Sequence, residues 1–453
     1  MHHNGQRRRR RRRSWGSSRV VMAASHAVGW CPSILLTITR LALASILLPV
    51  ASLLACFALA YTVPRRLAEK ARTNSGKTRP WLPTAFALPL GAVAGAAAGI
   101  VALGPATAAC WALFGAGAPE QPFSFRTIDE NRRQNVPRER EERANAVRRA
   151  NREELSFRDD EVCGRSAHIV SPLGSVGRGV LVMHHGLHSH GGAARMLRIA
   201  SHFARRGFVV YSLDAEGHGR SGGNFGVISS LEGLARTFAE AIEEIASRHP
   251  RSPIFLKGAS MGGLMALWAP FFLGEETRTK RLRGIVSVCP ALAVGDAAKS
   301  KFLIEAFKLA PADVLGRIFP QLPLTKGPRG VSFSEDPALR KLAEQESDED
   351  PLEYKGRLKF GTALTFTQTL MDPEECSRLT SLLQTSRVPT LIQHGTADRC
   401  VDVAGSRTFF EGLQCEGKKL VCYEGKSHVL LSEDEKTCLK YLHDMYDFVA
   451  SQT

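Results

Sequence analysis

Residues 254–263 read Ile254-Phe255-Leu256-Lys257-Gly258-Ala259-Ser260-Met261-Gly262-Gly263. The mostly apolar run Ile254 to Lys257 predicts a strand, and the spacing from Met261 to Phe272 predicts a helix. Gly-x-Ser-x-Gly between a strand and a helix specifies a turn so tight that only small residues flank the serine. Its hydroxyl then projects above a sheet. The same turn puts Ser260 at the positive end of the following helix, where the Met261 amide can donate to an oxyanion. The pentapeptide alone is common by chance; the strand before it and the helix behind it make it informative.

Working outward, apolar runs at Gly179–His184, Phe208–Leu213, Gly284–Cys289, Thr390–Gln393 and Lys419–Tyr423 predict further strands. Helical spacing is found at about 193–206, 231–248, 407–413 and 433–449. Strand and helix in alternation give an α/β fold, a mostly parallel sheet with helices on both faces. One interval breaks the rhythm: about 100 residues separate the Gly284 run from Thr390. That is too long for a crossover and reads as an inserted helical cap at about 292–386. Inside it, Lys299–Phe319 is amphipathic, with a face that either packs on the sheet domain or lines an acyl channel.

A serine hydroxyl needs a base, and the base needs an orienting group. The Thr390 strand runs into His394-Gly395-Thr396-Ala397-Asp398, and the Lys419 strand into Glu424-Gly425-Lys426-Ser427-His428. Asp398 and His428 therefore fall in loops at the carboxyl edge of the sheet, where open α/β folds bind ligands. The order serine, acid, histidine makes Ser260, Asp398 and His428 the candidate catalytic set. After the Gly179 strand the chain reads His184-His185-Gly186-Leu187-His188-Ser189-His190-Gly191-Gly192. By position, the Leu187 amide is the second oxyanion donor beside Met261. Four histidines in this stretch suggest a metal, but no carboxylate or cysteine cluster accompanies them. Neither a metal nor an organic cofactor is expected. Asp214-Ala215-Glu216-Gly217-His218-Gly219-Arg220-Ser221 reads as a turn that supports the loop under the site. Cys400, two residues after Asp398, reads as a buried structural thiol.

Together, His185-Gly186, the Asp214–Ser221 block, the Ser260 turn, His394–Asp398 and Glu424–His428 resemble the monoglyceride lipase and lysophospholipase-like branch of the α/β-hydrolases. Asp350-Pro351-Leu352-Glu353-Tyr354 followed by Arg357 also looks like that branch. The resemblance runs from about Leu155 to the end. It implies Ser260, Asp398 and His428 as triad, Leu187 and Met261 as oxyanion amides, and esters of glycerol or lysolipids as substrates. The branch is similar to plant phenolic-ester esterases and to S33-type aminopeptidases, so a small-ester esterase or an aminopeptidase is the alternative. A non-enzymatic membrane scaffold is a third.

The 453 residues carry a formal net charge of +16, from 60 Lys plus Arg against 44 Asp plus Glu. Residues 1–150 hold 23 basic and 7 acidic side chains, which leaves 37 of each for 151–453. A basic leader is therefore joined to a neutral body, and nucleic acid is not an expected partner. The leader opens with Arg7 to Arg13 and has no acid before Glu69. Leu41–Val63 is uncharged and, at 1.5 Å per residue, can cross a core of about 30 Å. A second uncharged stretch, 82–117, is rich in Ala and Gly, with Gly91, Gly95 and Gly99 on one helix face. The resulting organisation is an Arg-rich tail (1–40), two candidate transmembrane helices within 41–118 (about 41–63 and 82–117), a charged linker (119–154) that is solvated or an exposed helix, and a hydrolase domain (155–453). Basic residues flank both spans, with a slight excess on the side of the body. The domain is expected to face the cytosol from a membrane, with organelle targeting as the alternative. Ten scattered cysteines without Cys-x-x-Cys spacing indicate reduced, structural thiols.

Overall fold

The computed structural model describes residues 136–174, 177–295, 316, 320–325 and 332–453. The Arg-rich tail, both candidate spans and nearly all of the amphipathic segment Lys299–Phe319 lie outside the described residues. Among the described residues no helix is long and apolar enough to cross a membrane.

Ten strands are described: β1 (Leu155–Val162), β2 (Arg165–Pro172), β3 (Gly179–His184), β4 (Phe208–Leu213), β5 (Ile254–Ala259), β6 (Leu282–Val288), β7 (Pro323–Thr325), β8 (Leu358–Lys359), β9 (Thr390–Gly395) and β10 (Lys419–Tyr423). Eight of them form one sheet in the order β1-β2-β4-β3-β5-β6-β9-β10. Pairing is parallel from β4 to β10, and antiparallel for β1 with β2 and β2 with β4. The central strands β3 and β4 are buried along their whole length, as the unbroken apolar runs require.

Helices cover both faces. Leu231–Arg248 and Met261–Trp268 pack on one side, and Ala194–Ala204 and Glu435–Ser451 on the other. β5 serves both, with Ile254 and Leu256 in one core and Phe255 in the other. In Ala194–Ala204 the apolar positions Met196, Leu197, Ala200, Phe203 and Ala204 fall on one stripe, and all are buried. Each large side chain so buried contributes about 1.5–3 kcal/mol.

The structure departs from sequence expectation in several places. β1 and β2 were not expected, because Arg158, Asp159, Asp160 and Glu161 interrupt any apolar pattern on β1, an edge strand with an exposed centre. The charged linker ends in the helix Glu142–Asn151, which is docked on the body and not free in solvent. Its Ala144 is buried, and Glu141, just before it, is buried and ion-paired with Arg220. The helix expected to reach Phe272 stops at Trp268 and tightens into a 3-10 turn over Ala269–Phe272 containing Pro270. The helix expected at 407–413 starts earlier, at Val403, where the Asp402 side chain accepts from the Ala404 amide.

The cap lies between β6 and β9. It contains a ribbon of β7 and β8 and the helices Pro337–Glu349, Phe360–Phe366 and Pro373–Gln384. Asp336 and Asp372 cap the first and last of these, each followed by a proline at the first helical position.

Candidate active site

Ser260 sits between β5 and the helix Met261–Trp268 with φ 57° and ψ −119°. A non-glycine residue there carries strain of about 1–3 kcal/mol. Its surroundings hold it in place: the Ser260 amide donates to the Val288 carbonyl at 2.8 Å, and its carbonyl accepts from Leu264 and Ala291 at 3.1 Å each. The flanking glycines are required by space. A β-carbon on Gly258 would run into the carbonyl of Gly262, and one on Gly262 would run into the carbonyls of His184 and His185.

Asp398 and His428 follow β9 and β10, on the same carboxyl edge as Ser260. Nδ1 of His428 lies 2.6 Å from Oδ2 of Asp398. The other carboxylate oxygen of Asp398 accepts from the Cys400 and Val401 amides at 2.8 and 2.9 Å. Burial alone would raise this carboxyl, but His428, His394 and the Val401 amide outweigh burial and hold Asp398 well below the usual carboxylate range. The acid is thus a fixed anion, and His428 keeps some contact with solvent, its side chain 10% exposed.

Sequence reasoning missed two neighbours of the acid. His394 places Nε2 3.2 Å from Oδ2 of Asp398 and is itself fixed by Ser406 Oγ at 2.7 Å. Cys289, at the end of β6 with φ 43°, brings its Sγ within 4.8 Å of Asp398 and His428. The Cys289 amide donates to Gln393 on β9 at 2.8 Å, and the preceding residue accepts from Ser260. A continuous path of contacts therefore joins the serine to the Asp–His pair. Burial, then the negative charge of Asp398, raises the Cys289 thiol well above its ordinary value, and burial pushes Cys400 up to about 12. Both are protonated and poorly nucleophilic. The described cysteines are all free thiols.

The loop after β3, which carries Leu187, passes beside the serine turn. Gly186 lies against the serine turn; a β-carbon there would meet the Ala259 carbonyl at 3.3 Å and Ser260 Cβ at 3.4 Å. The Leu187 amide follows directly. The Met261 amide, in the first turn of its helix, has no intrahelical acceptor. The four histidines of this loop do separate jobs. His185 donates from Nδ1 to the Gly186 carbonyl and accepts the Ala215 amide at Nε2, which fixes a neutral tautomer. Burial lowers His184 to about 4, His188 to about 3 and His185 well below its ordinary value, so all three are neutral at pH 7. His190 instead contacts the cap, with Nε2 3.0 Å from Asp350 Oδ2.

The cap motif grips the same loop. The Tyr354 amide donates to the His188 carbonyl at 2.9 Å, and Arg195, from the next helix, holds Glu353 at 2.5 Å. His188 is in a left-handed conformation, φ 68°, and its ring lies against Tyr354. Asp214 accepts the Gly191 amide at 2.6 Å and the Arg220 amide at 2.7 Å, so it ties two loops together, as expected of a structural residue. A cleft of about 600 Å³ lined by Arg278, Arg283 and Arg387 opens at the other end of the strands, beside Leu282 and Pro389, and is not the catalytic pocket.

The arrangement supplies a strained serine, a histidine oriented by a buried carboxylate, and two adjacent backbone amides. This is the equipment for acyl transfer through a covalent intermediate.

Comparison with known proteins agrees with that chemistry. The profile of the serine aminopeptidase S33 family matches residues 176–435. The chain is 30% identical over 278 residues to the monoacylglycerol lipase of Mycolicibacterium smegmatis, covering 60% of this chain and 89% of that protein. It is 27% identical over 278 residues to human monoglyceride lipase, covering 61% and 84%. Among solved structures, the monoacylglycerol lipase of Paleococcus ferrophilus superposes with a TM-score of 0.51 at 27% identity, covering 66% of this chain and all of that one. The fold is the α/β-hydrolase fold.

Proposed function

We propose, for a chain that belongs to the serine aminopeptidase S33 family and to the monoglyceride lipase-like branch of the α/β-hydrolases, that Ser260, His428 and Asp398 hydrolyse lipid esters. The chain is a serine ester hydrolase; the triad and the substrate are the proposal. Ser260 Oγ attacks the ester carbonyl carbon while Nε2 of His428 takes the hydroxyl proton. Asp398, already ionised and bonded to Nδ1, stabilises the imidazolium. The carbonyl oxygen becomes an oxyanion held by the Leu187 and Met261 amides. Collapse breaks the bond to the alcohol, which takes the proton from His428. Water, deprotonated by the same histidine, then cleaves the acyl-enzyme and releases the fatty acid.

The observation that carries this reading is the 2.6 Å bond from His428 to a buried, ionised Asp398 on the same sheet edge as the strained serine. Monoacylglycerol or lysophospholipid is the proposed substrate, supported by the relatives named above. A leader with two uncharged stretches supports membrane attachment, with the hydrolase domain on the cytosolic side.

The test is a substrate panel on wild type and Ser260→Ala. Wild type hydrolyses monoacylglycerol or lysophospholipid and takes a fluorophosphonate label, and Ser260→Ala does neither. Faster cleavage of phenolic or aminoacyl esters would replace the lipid reading with an esterase or aminopeptidase. Labelling that survives Ser260→Ala would remove the nucleophile. Alkaline carbonate extraction checks attachment separately: release of the full-length chain would overturn the membrane claim.

A further inference from the structure

Apart from the catalytic pair, three segments bring ionisable groups together under the loop after β3. They are His168 on β2, His190 after β3 and Asp214 after β4. All three side chains are buried, those of His190 and Asp214 completely. Nε2 of His168, Nδ1 of His190 and a carboxylate oxygen of Asp214 lie within 4.8 Å of one another.

The distances suit a shared ion better than direct bonding. His168 Nε2 is 3.4 Å from each carboxylate oxygen of Asp214, with a long hydrogen bond to Oδ2, and His190 Nδ1 is 3.9 Å from Oδ1. The His168 bond is at the long end of the range and the His190 contact is not a hydrogen bond. Nδ1 of His190 makes no hydrogen bond at all, although the ring is fully buried. Left so, it costs about 1–3 kcal/mol. Two ligands of a tetrahedral ion bound at 2.0–2.2 Å stand about 3.4 Å apart.

The outward-facing ring nitrogens are equally informative. Nδ1 of His168 is 2.5 Å from Asp159 Oδ1, and Nε2 of His190 is 3.0 Å from Asp350 Oδ2. Each ring thus turns one nitrogen to a carboxylate and the other to the common centre, which is how metal-bound histidines are oriented. The glycine at 192 has no space for a side chain, since a β-carbon would lie 2.7 Å from the His168 ring. Three carboxylates, two neutral imidazoles and the Arg138 guanidinium that pairs with Asp159 leave no net charge once a divalent ion is added. Two imidazolium rings would give the same balance, but an Nδ1–H on His190 would then lack an acceptor.

We propose that His168, His190 and Asp214 bind a divalent transition ion of the zinc type, with Asp159 and Asp350 as outer carboxylates. Two imidazoles and one carboxylate favour zinc over magnesium or calcium, which take oxygen donors. The ion is structural. It fastens β2 and the loops after β3 and β4 to one another and, through Asp350, to the cap. Sequence alone gave no carboxylate for these histidines because Asp159, Asp214 and Asp350 come from distant segments.

The experiment uses the full chain in detergent, purified without a polyhistidine tag. Elemental analysis is expected to find about one zinc per chain. After removal with dipicolinate, one equivalent of Co²⁺ restores a visible d–d absorption and raises the melting temperature. His168→Gln and His190→Gln abolish the absorption, and Asp350→Asn weakens Co²⁺ binding about 10–100-fold. Protein without metal, without a cobalt spectrum and without a thermal shift overturns the proposal and makes the cluster a chain of ion pairs. A thiolate-to-cobalt charge-transfer band also overturns it, because it would place the ion at Cys289, Asp398 and His428. Should the histidine variants fail to fold, stoichiometry and band type in wild type decide alone.

Discussion

At the scale of single residues, the catalytic assignment rests on Asp398 remaining an anion. Asp398→Asn keeps the shape but cannot stabilise a charged His428, and kcat is expected to fall by about 10⁴-fold with little change in melting temperature. Steady-state kinetics beside a thermal melt separates that outcome from simple unfolding. Leu187→Pro removes one amide donor, and a loss of about 10²–10³ in kcat is expected with substrate binding largely retained. The position of Ser260, Asp398, His428 and Leu187 at the carboxyl edge of the sheet was legible in the sequence for one physical reason: each follows closely on an apolar strand. His394 and Cys289 were not legible. The approach of Cys289 depends on the pairing of β6 with β9 and on a left-handed turn, neither of which has a local signature, and four residues of separation do not reveal that the His394 ring turns back to Asp398.

At the scale of elements, parallel strands were easy to read because burial on both faces makes them continuous apolar runs. The β1–β2 hairpin was hidden for the opposite reason. The β1 edge carries charges, which discourage pairing with another chain, and its turn at Cys163-Gly164 shows only as two left-handed residues. The serine turn makes the strongest demand on an element. Gly262→Ala would push against two backbone carbonyls that cannot retreat without moving β3, and a loss of more than about 3 kcal/mol is expected. Soluble yield and melting temperature report it. A milder check is Ser230→Ala, which removes the cap of Leu231–Arg248 by deleting the acceptor for the Gly233 amide. It should cost about 1 kcal/mol and leave activity intact.

For the whole molecule, pH dependence follows from the buried neutral histidines. His184 has its folded value lowered to about 4, and His185 and His188 are lowered too. Between about pH 6.5 and 4 the unfolded chain takes up protons that the folded chain refuses. Stability is therefore fully present above 6.5 and lost as pH falls, by roughly 3 kcal/mol for His184 alone. Lys257, buried with its value lowered to about 8, works in the same direction at the other end: stability rises between about pH 8 and 10.5 as the unfolded chain keeps the proton longer. His168 opposes the climb above pH 6.5: burial would lower it, but Asp214 and Asp159 outweigh burial and raise it to about 9, so its contribution is lost as pH rises from about 6.5 to 9. Melting temperatures measured with chelator present should therefore climb from pH 4 to about 6.5 and stop climbing above it. A flat profile across pH 4–6.5 would contradict the buried neutral histidines.

The insertion of the cap between β6 and β9 also fixes an order of events during synthesis. The leader leaves the ribosome first, the Ser260 turn next and the cap after that. Asp398 and His428 come only at the end. Until the last two strands have joined the sheet, the nascent polypeptide holds Ser260 without the Asp398–His428 pair. The residues that meet around Ser260 thus come from both ends of the domain's synthesis, and a chain cut short before β10 lacks half of the site.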